Sequence, residues 1–110
     1  MRRGPTAGRR LADALEKALG GFPAEVRVDS STDWHSVTFS GARHSLRVIL
    51  DGDGAGLAAD RLLARFPEAD FPLCGHLLAD IGAAADERSE DGKSVELEIR
   101  ALTVELETVF

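Results

Sequence analysis

The spacing of apolar residues constrains this chain more than any other feature, because it switches between the two repeats that regular secondary structure allows. Leu11, Leu15 and Leu19 recur every four residues, with Ala14, Ala18 and Phe22 beside them. Arg10, Asp13, Glu16 and Lys17 fall mostly on the other side, which is the pattern of an amphipathic helix. Thr6 is placed to cap its start, and Gly20-Gly21 followed by Pro23 to stop it. The period then falls to two. Ala24 to Asp29 alternates, Ser30 to Asp33 reads as a turn by composition, and Trp34 to Ser40 alternates again. Gly41-Ala42 reads as a two-residue hairpin turn into a return strand from Arg43 to Leu50. In that register Phe39 faces His44, Val37 faces Leu46 and His35 faces Val48, all on the core side.

Asp51 to Gly56 breaks the strand, and Leu57, Arg61, Leu62, Arg65 and Phe66 with their alanines predict a second helix ending before Pro67. From His76 to Asp86 the residues Leu77, Ala79, Ile81, Ala83 and Ala85 share one phase. Asp91-Gly92 marks a hairpin turn, and a last strand runs from Val95 to about Glu107. That strand changes phase: Val95, Leu97, Ile99 and Ala101 are odd-numbered, whereas Leu102, Val104 and Leu106 are even-numbered. A one-residue shift moves side chains to the opposite face, so the pattern predicts a bulge near Ala101-Leu102 or a second surface for the strand's end.

The expected fold is therefore α+β: a two-layer domain with a mainly antiparallel five-stranded sheet, two helices on one face and the order α-β-β-β-α-β-β. Residues 1–6 are expected to form a flexible basic tail and residues 7–110 a single domain, the size expected of one core.

Charge is unevenly spread. Residues 1–10 carry four arginines and no acid, so the net charge of −6 leaves the remaining hundred residues at −10. An acidic body disfavours nucleic acid and anionic membrane as partners. No apolar run approaches the ~20 residues of a membrane span, and the start lacks the apolar stretch of a secretory signal. The single cysteine, Cys74, cannot form an intrachain disulfide, and a reducing, cytoplasmic setting is expected.

No motif names a chemistry. Gly52-x-Gly54-x-Gly56 sits where phosphate loops sit, but its spacing is wrong, no lysine follows, and Asp51 and Asp53 would repel a phosphate. The plainer reading is a tight turn with Asp53 as helix cap. The same aspartates lack the further ligands of a calcium loop: the fifth position is Ala55 and the twelfth Leu62. His35 and His44 lie ~13 Å apart in the expected hairpin, too far for one ion, so no metal is expected. Cys74 and His76 are two residues apart in a strand, too distant for a thiolate–imidazole pair, and no cofactor is expected.

Two functional readings remain. The favoured one is a non-catalytic domain that self-associates, as a homodimer for example, or binds a protein partner through Leu102, Val104 and Leu106, the three residues left by the phase change. The alternative is a small-molecule-binding protein or small enzyme with a pocket near His44, His76 and Asp80, with Arg43 beside it. No catalytic residue is assigned in either.

Overall fold

A computed structural model describes residues 4–68 and 71–106. Arg2 and Arg3 of the expected tail, and Glu107 at the expected end of the last strand, lie outside the described residues. The first helix, α1, spans Gly4–Ala18 and starts ahead of the cap expected at Thr6. Its four-residue repeat is obeyed: Leu11, Leu15 and Leu19 are buried together with Ala7 and Ala12.

Four strands follow rather than five. β1 (Ala24–His35), β2 (Ser40–Asp51), β3 (His76–Arg88) and β4 (Ser94–Glu105) form one antiparallel sheet in the order β1-β2-β4-β3. The second helix, α2, covers Ala55–Ala64 between β2 and β3, and a short 3-10 turn covers Phe66–Glu68. The missing strand has a local cause. Ser30 to Asp33 are not a turn; Ser30, Ser31, Thr32 and Asp33 pair with Ser45, His44, Arg43 and Ala42. Their small polar side chains mark exposure at a sheet edge, not a break in the chain. The two short strands expected there are one long strand with a bulge at Asp29.

The hairpin turn falls earlier than Gly41-Ala42, at Ser36 to Phe39. There the Ser36 N–H donates to the Phe39 carbonyl at 2.8 Å, and the Phe39 N–H donates to Ser36 Oγ at 3.0 Å. Gly41 lies inside β2 because the backbone is crowded there. A Cβ at this position would overlap the Thr103 carbonyl oxygen and lie 3.0 Å from the Trp34 ring.

Both helices cover one face of the sheet, α1 over β1 and β2, α2 chiefly over β4. Towards them point Leu46, Val48 and Leu50 of β2 and Val95, Leu97 and Ile99 of β4, all essentially inaccessible. Leu11, Leu15, Leu62, Phe66 and Phe71 close this core from the other side. The opposite face carries no helix among the described residues.

The bulge expected near Ala101-Leu102 does not occur; Leu102 and Val104 lie on the open face instead, the second of the two outcomes expected. Val95, Leu97, Ile99, Ala101 and Thr103 all face the core, and β2 pairs with β4 from Gly41–Val104 to Asp51–Ser94 without a shift. Thr103 takes the core position that apolar counting gave to its neighbours. The bulges lie in β3 instead, at Ala79 and Ala84. They also break the single phase expected for Leu77 to Ala85: Leu78 and Ile81 are buried, whereas Leu77 is 55% exposed. At α2 the cap is Gly54, with φ +89° and no side-chain hydrogen bond, rather than Asp53. Its buried stripe is Ala55, Ala59 and Leu62, and Leu57 faces outward.

Candidate functional site

The four residues expected to line a pocket, Arg43, His44, His76 and Asp80, are divided by the sheet. Alternation along β2 sends His44 to the helix side and Arg43 to the open face. The Ala79 bulge does the same in β3: His76 is buried on the helix side, and Asp80, paired with Leu102, is exposed on the other. A hollow of about 520 Å³ beside Phe71 to Leu78 includes His76 in its lining, while Arg43, His44 and Asp80 lie elsewhere.

On the helix side His44 is held by hydroxyls. Its Nδ1 is 2.7 Å from Ser31 Oγ and its Nε2 2.9 Å from Thr103 Oγ1. The Thr103 hydroxyl donates to the Ala42 carbonyl at 3.4 Å, so its oxygen accepts from His44 Nε2–H. His44 Nδ1 is then the acceptor of the Ser31 O–H. This arrangement satisfies a neutral imidazole and leaves no acceptor for a second ring proton. Burial pushes the His44 pKa below its ordinary value, repulsion from His76 adds to this, and attraction to Asp33 opposes it. His76 donates from Nδ1 to the Cys74 carbonyl at 3.2 Å, and its buried Nε2 has no partner among the described residues. The Cys74 side chain itself is exposed, so the imidazole meets that residue's backbone and not its thiol.

The same end of the sheet is apolar on its open face. One transverse row runs Trp34, Gly41, Val104, Leu77 across the four strands. The next runs Thr32, Arg43, Leu102, Asp80. Leu102 and Val104 are half-buried, and Leu106 beyond them is 55% exposed. Phe39 in the β1–β2 turn is 57% exposed, and Val37 is fully so. A shallow hollow of about 180 Å³ between Phe39, Leu77, Val104 and Leu106 joins the turn to the sheet. Further along, the open face changes character: Arg47 bridges Asp29 at 3.2 Å and also pairs with Glu96, and Arg100 pairs with Glu98 at 3.0 Å.

The structure thus gathers Leu102, Val104 and Leu106 with Trp34, Phe39 and Leu77, three residues the sequence reading missed. Phe39 was assigned to the core by the wrong turn, and Leu77 by the unbroken phase of β3. The signal for Trp34 was available, since the Trp opposite a glycine in the true register is an aromatic laid on bare backbone.

No family model and no curated protein matches the chain. Among solved structures it is similar to a chain from the virion of a native gene transfer agent particle, 19% identical over 92% of each chain, with a TM-score of 0.43.

The remaining candidates have structural explanations. The Gly52–Gly56 segment is a turn tied to the β3–β4 hairpin: Gly52 N–H donates to the Lys93 carbonyl and Gly56 N–H to the Gly92 carbonyl. Asp53 sits 3.4 Å from Lys93 Nζ at the surface. Among the described residues no three His, Cys, Asp or Glu side chains converge as a metal site would require, and no helix is long and apolar enough to cross a membrane.

Proposed function

We propose that this chain is a non-catalytic association domain that docks through the apolar end of its open sheet face. One observation carries the reading. Exposed Phe39, Leu77 and Leu106 cluster with Trp34, Leu102 and Val104 at one end of that face, while the rest of it is laced with ion pairs. Scattered apolar residues are ordinary on any surface, but a contiguous set rimmed by charge marks a contact surface. Aromatic and aliphatic anchors of this kind supply most of the energy of an interface. The partner favoured here is a further copy of the chain.

The test is the assembly state of the full chain, read by size exclusion with light scattering across the micromolar range. The wild type is expected to exceed its monomer mass with rising concentration. Leu77→Lys with Leu106→Lys, two exposed positions, is expected to reduce that assembly without lowering thermal stability. A wild type whose mass is unchanged by this pair of substitutions would refute the open-face contact.

A further inference from the structure

The two ends of the molecule carry opposite features. Antiparallel pairing sets the β1–β2 turn at one end of the sheet and the start of β1 at the other, ~36 Å apart for a twelve-residue strand. The turn is a projection. Val37 is fully exposed and Phe39 57% exposed, so the chain's own core leaves both apolar side chains largely unused. At the far end, where α1 gives way to β1 and β2 to α2, the surface is hollowed. About 680 Å³ lie open between Leu19 and Phe22 on one side and Gly54, Leu57 and Ala58 on the other.

The hollow owes its shape to the local sequence. Gly20 and Gly21 take φ +64° and +89° to turn the chain out of α1, and a Cβ on either would meet nothing within 4 Å. The wall there is bare backbone facing open space. Leu57 stands on the other wall. It is 56% exposed, the one large apolar side chain of either helix exposed to this degree among the described residues. α2 buries Ala55, Ala59 and Leu62, so the helical repeat itself turns Leu57 away from the core.

We infer that a second copy of this chain seats its β1–β2 turn in this hollow, Val37 and Phe39 entering beside Leu57, so that copies join head to tail. The inference rests on the open-face reading in that Phe39 belongs to the same apolar end, and it names what that end meets. Charge favours the same pairing. Glu105 lines the small hollow that holds Phe39, and Arg61, one helical turn beyond Leu57, lines the large one. Neither has an ionic partner among the described residues, so docking brings together an acid and a base that a single chain leaves apart. Asp53, the acid of the large hollow, is already engaged by Lys93 at 3.4 Å. The two surfaces differ and lie at opposite ends, so one copy offers both at once. Such a contact does not close within a dimer; it repeats into a ring or an open chain. A foreign apolar segment would fill the hollow and leave the projecting turn uncovered, whereas a second copy covers both.

Capping by mixed variants tests this. Leu57→Asp blocks the hollow and puts an acid in the first turn of α2, where the helix dipole favours it. Val37→Asp with Phe39→Asp blocks the turn at two exposed positions. Thermal unfolding of both variants is expected to match the wild type. By light scattering each alone is expected to stay at the chain mass of 11.8 kDa at micromolar concentrations where the wild type assembles. An equimolar mixture is expected to give twice that mass and no more, because one intact hollow takes one intact turn and neither copy extends further. A Leu57→Asp variant as assembled as the wild type, a mixture that stays monomeric, or one that grows past the dimer would each overturn the head-to-tail contact. The open-face reading fails separately. Assembly lost to the Leu77→Lys/Leu106→Lys pair but untouched by Leu57→Asp keeps that reading and removes this one; assembly lost to Leu57→Asp but untouched by the Lys pair does the opposite. A wild type monomeric throughout the micromolar range would overturn both.

Discussion

His44 is the residue whose chemistry is most determined by its surroundings. Ser31 and Thr103 give its two ring nitrogens one donor and one acceptor, the complement of a neutral imidazole. A second ring proton would need the Ser31 hydroxyl to turn, and would place a cation in a buried site facing His76 on β3, with Asp33 on β1 the acid that opposes this. The folded-state pKa is therefore below the ordinary 6.5. In the unfolded chain His44 takes up a proton as pH falls through that ordinary value, whereas the folded protein resists until a lower pH. His44 thus has no pH-dependent effect above about 6.5, and stability is lost as pH falls from there towards the folded value. Urea unfolding at a series of pH values between 7 and 5 is expected to show this decline. His44→Gln, which keeps hydrogen-bonding capacity but cannot titrate there, is expected to flatten it. An equal slope in the variant would assign the decline to other groups. Asp91 does not confuse the measurement: its pKa is lowered by the Ser89 hydroxyl first, so its own contribution changes only in the acidic carboxylate range.

At the scale of elements, the sequence was legible wherever one periodic pattern ran unbroken. Leu11, Leu15 and Leu19 placed α1, and Val95 to Ala101 placed the core face of β4, because burial on one side forces a single repeat. The Asp91-Gly92 turn was legible for a chemical reason: Asp91 Oδ1 accepts from the Lys93 N–H and the Ser89 hydroxyl. Two errors arose where a residue type has two structural uses. Gly41 served close backbone approach and was read as a turn. Ser30 to Asp33 served an edge strand and were read as a loop. The candidate pocket failed with the register, since the Ala79 bulge separates His76 from Asp80 in a way that no residue type announces. That bulge makes its own prediction. Leu78 pairs with Thr103 and Asp80 with Leu102, so Ala79 is the extra residue. Deleting Ala79 leaves every other side chain of β3 on its present face, and is expected to cost no more than ~1 kcal/mol in urea unfolding. Deleting Ser45 from β2, by contrast, reverses the faces of half a central strand and is expected to abolish folding. Equal damage from the two deletions would mean that the bulge is required in its own right.

At the scale of the whole molecule, the sheet is a layered ladder with unequal edges. β2 and β4 are paired on both sides and carry wholly inaccessible core residues, Leu46, Val48, Leu50, Leu97 and Ile99. Their amides should open only with global unfolding, while β1 and β3, each paired on one side, should exchange by smaller openings. In an isolated chain the two edge strands therefore resemble one another. Amide hydrogen exchange at a protein concentration where the chain is monomeric tests this ordering. Residues 24–35 and 76–88 are expected to exchange faster than residues 40–51 and 94–105. Edge strands as slow as β2 and β4 would mean that the sheet opens only as one unit.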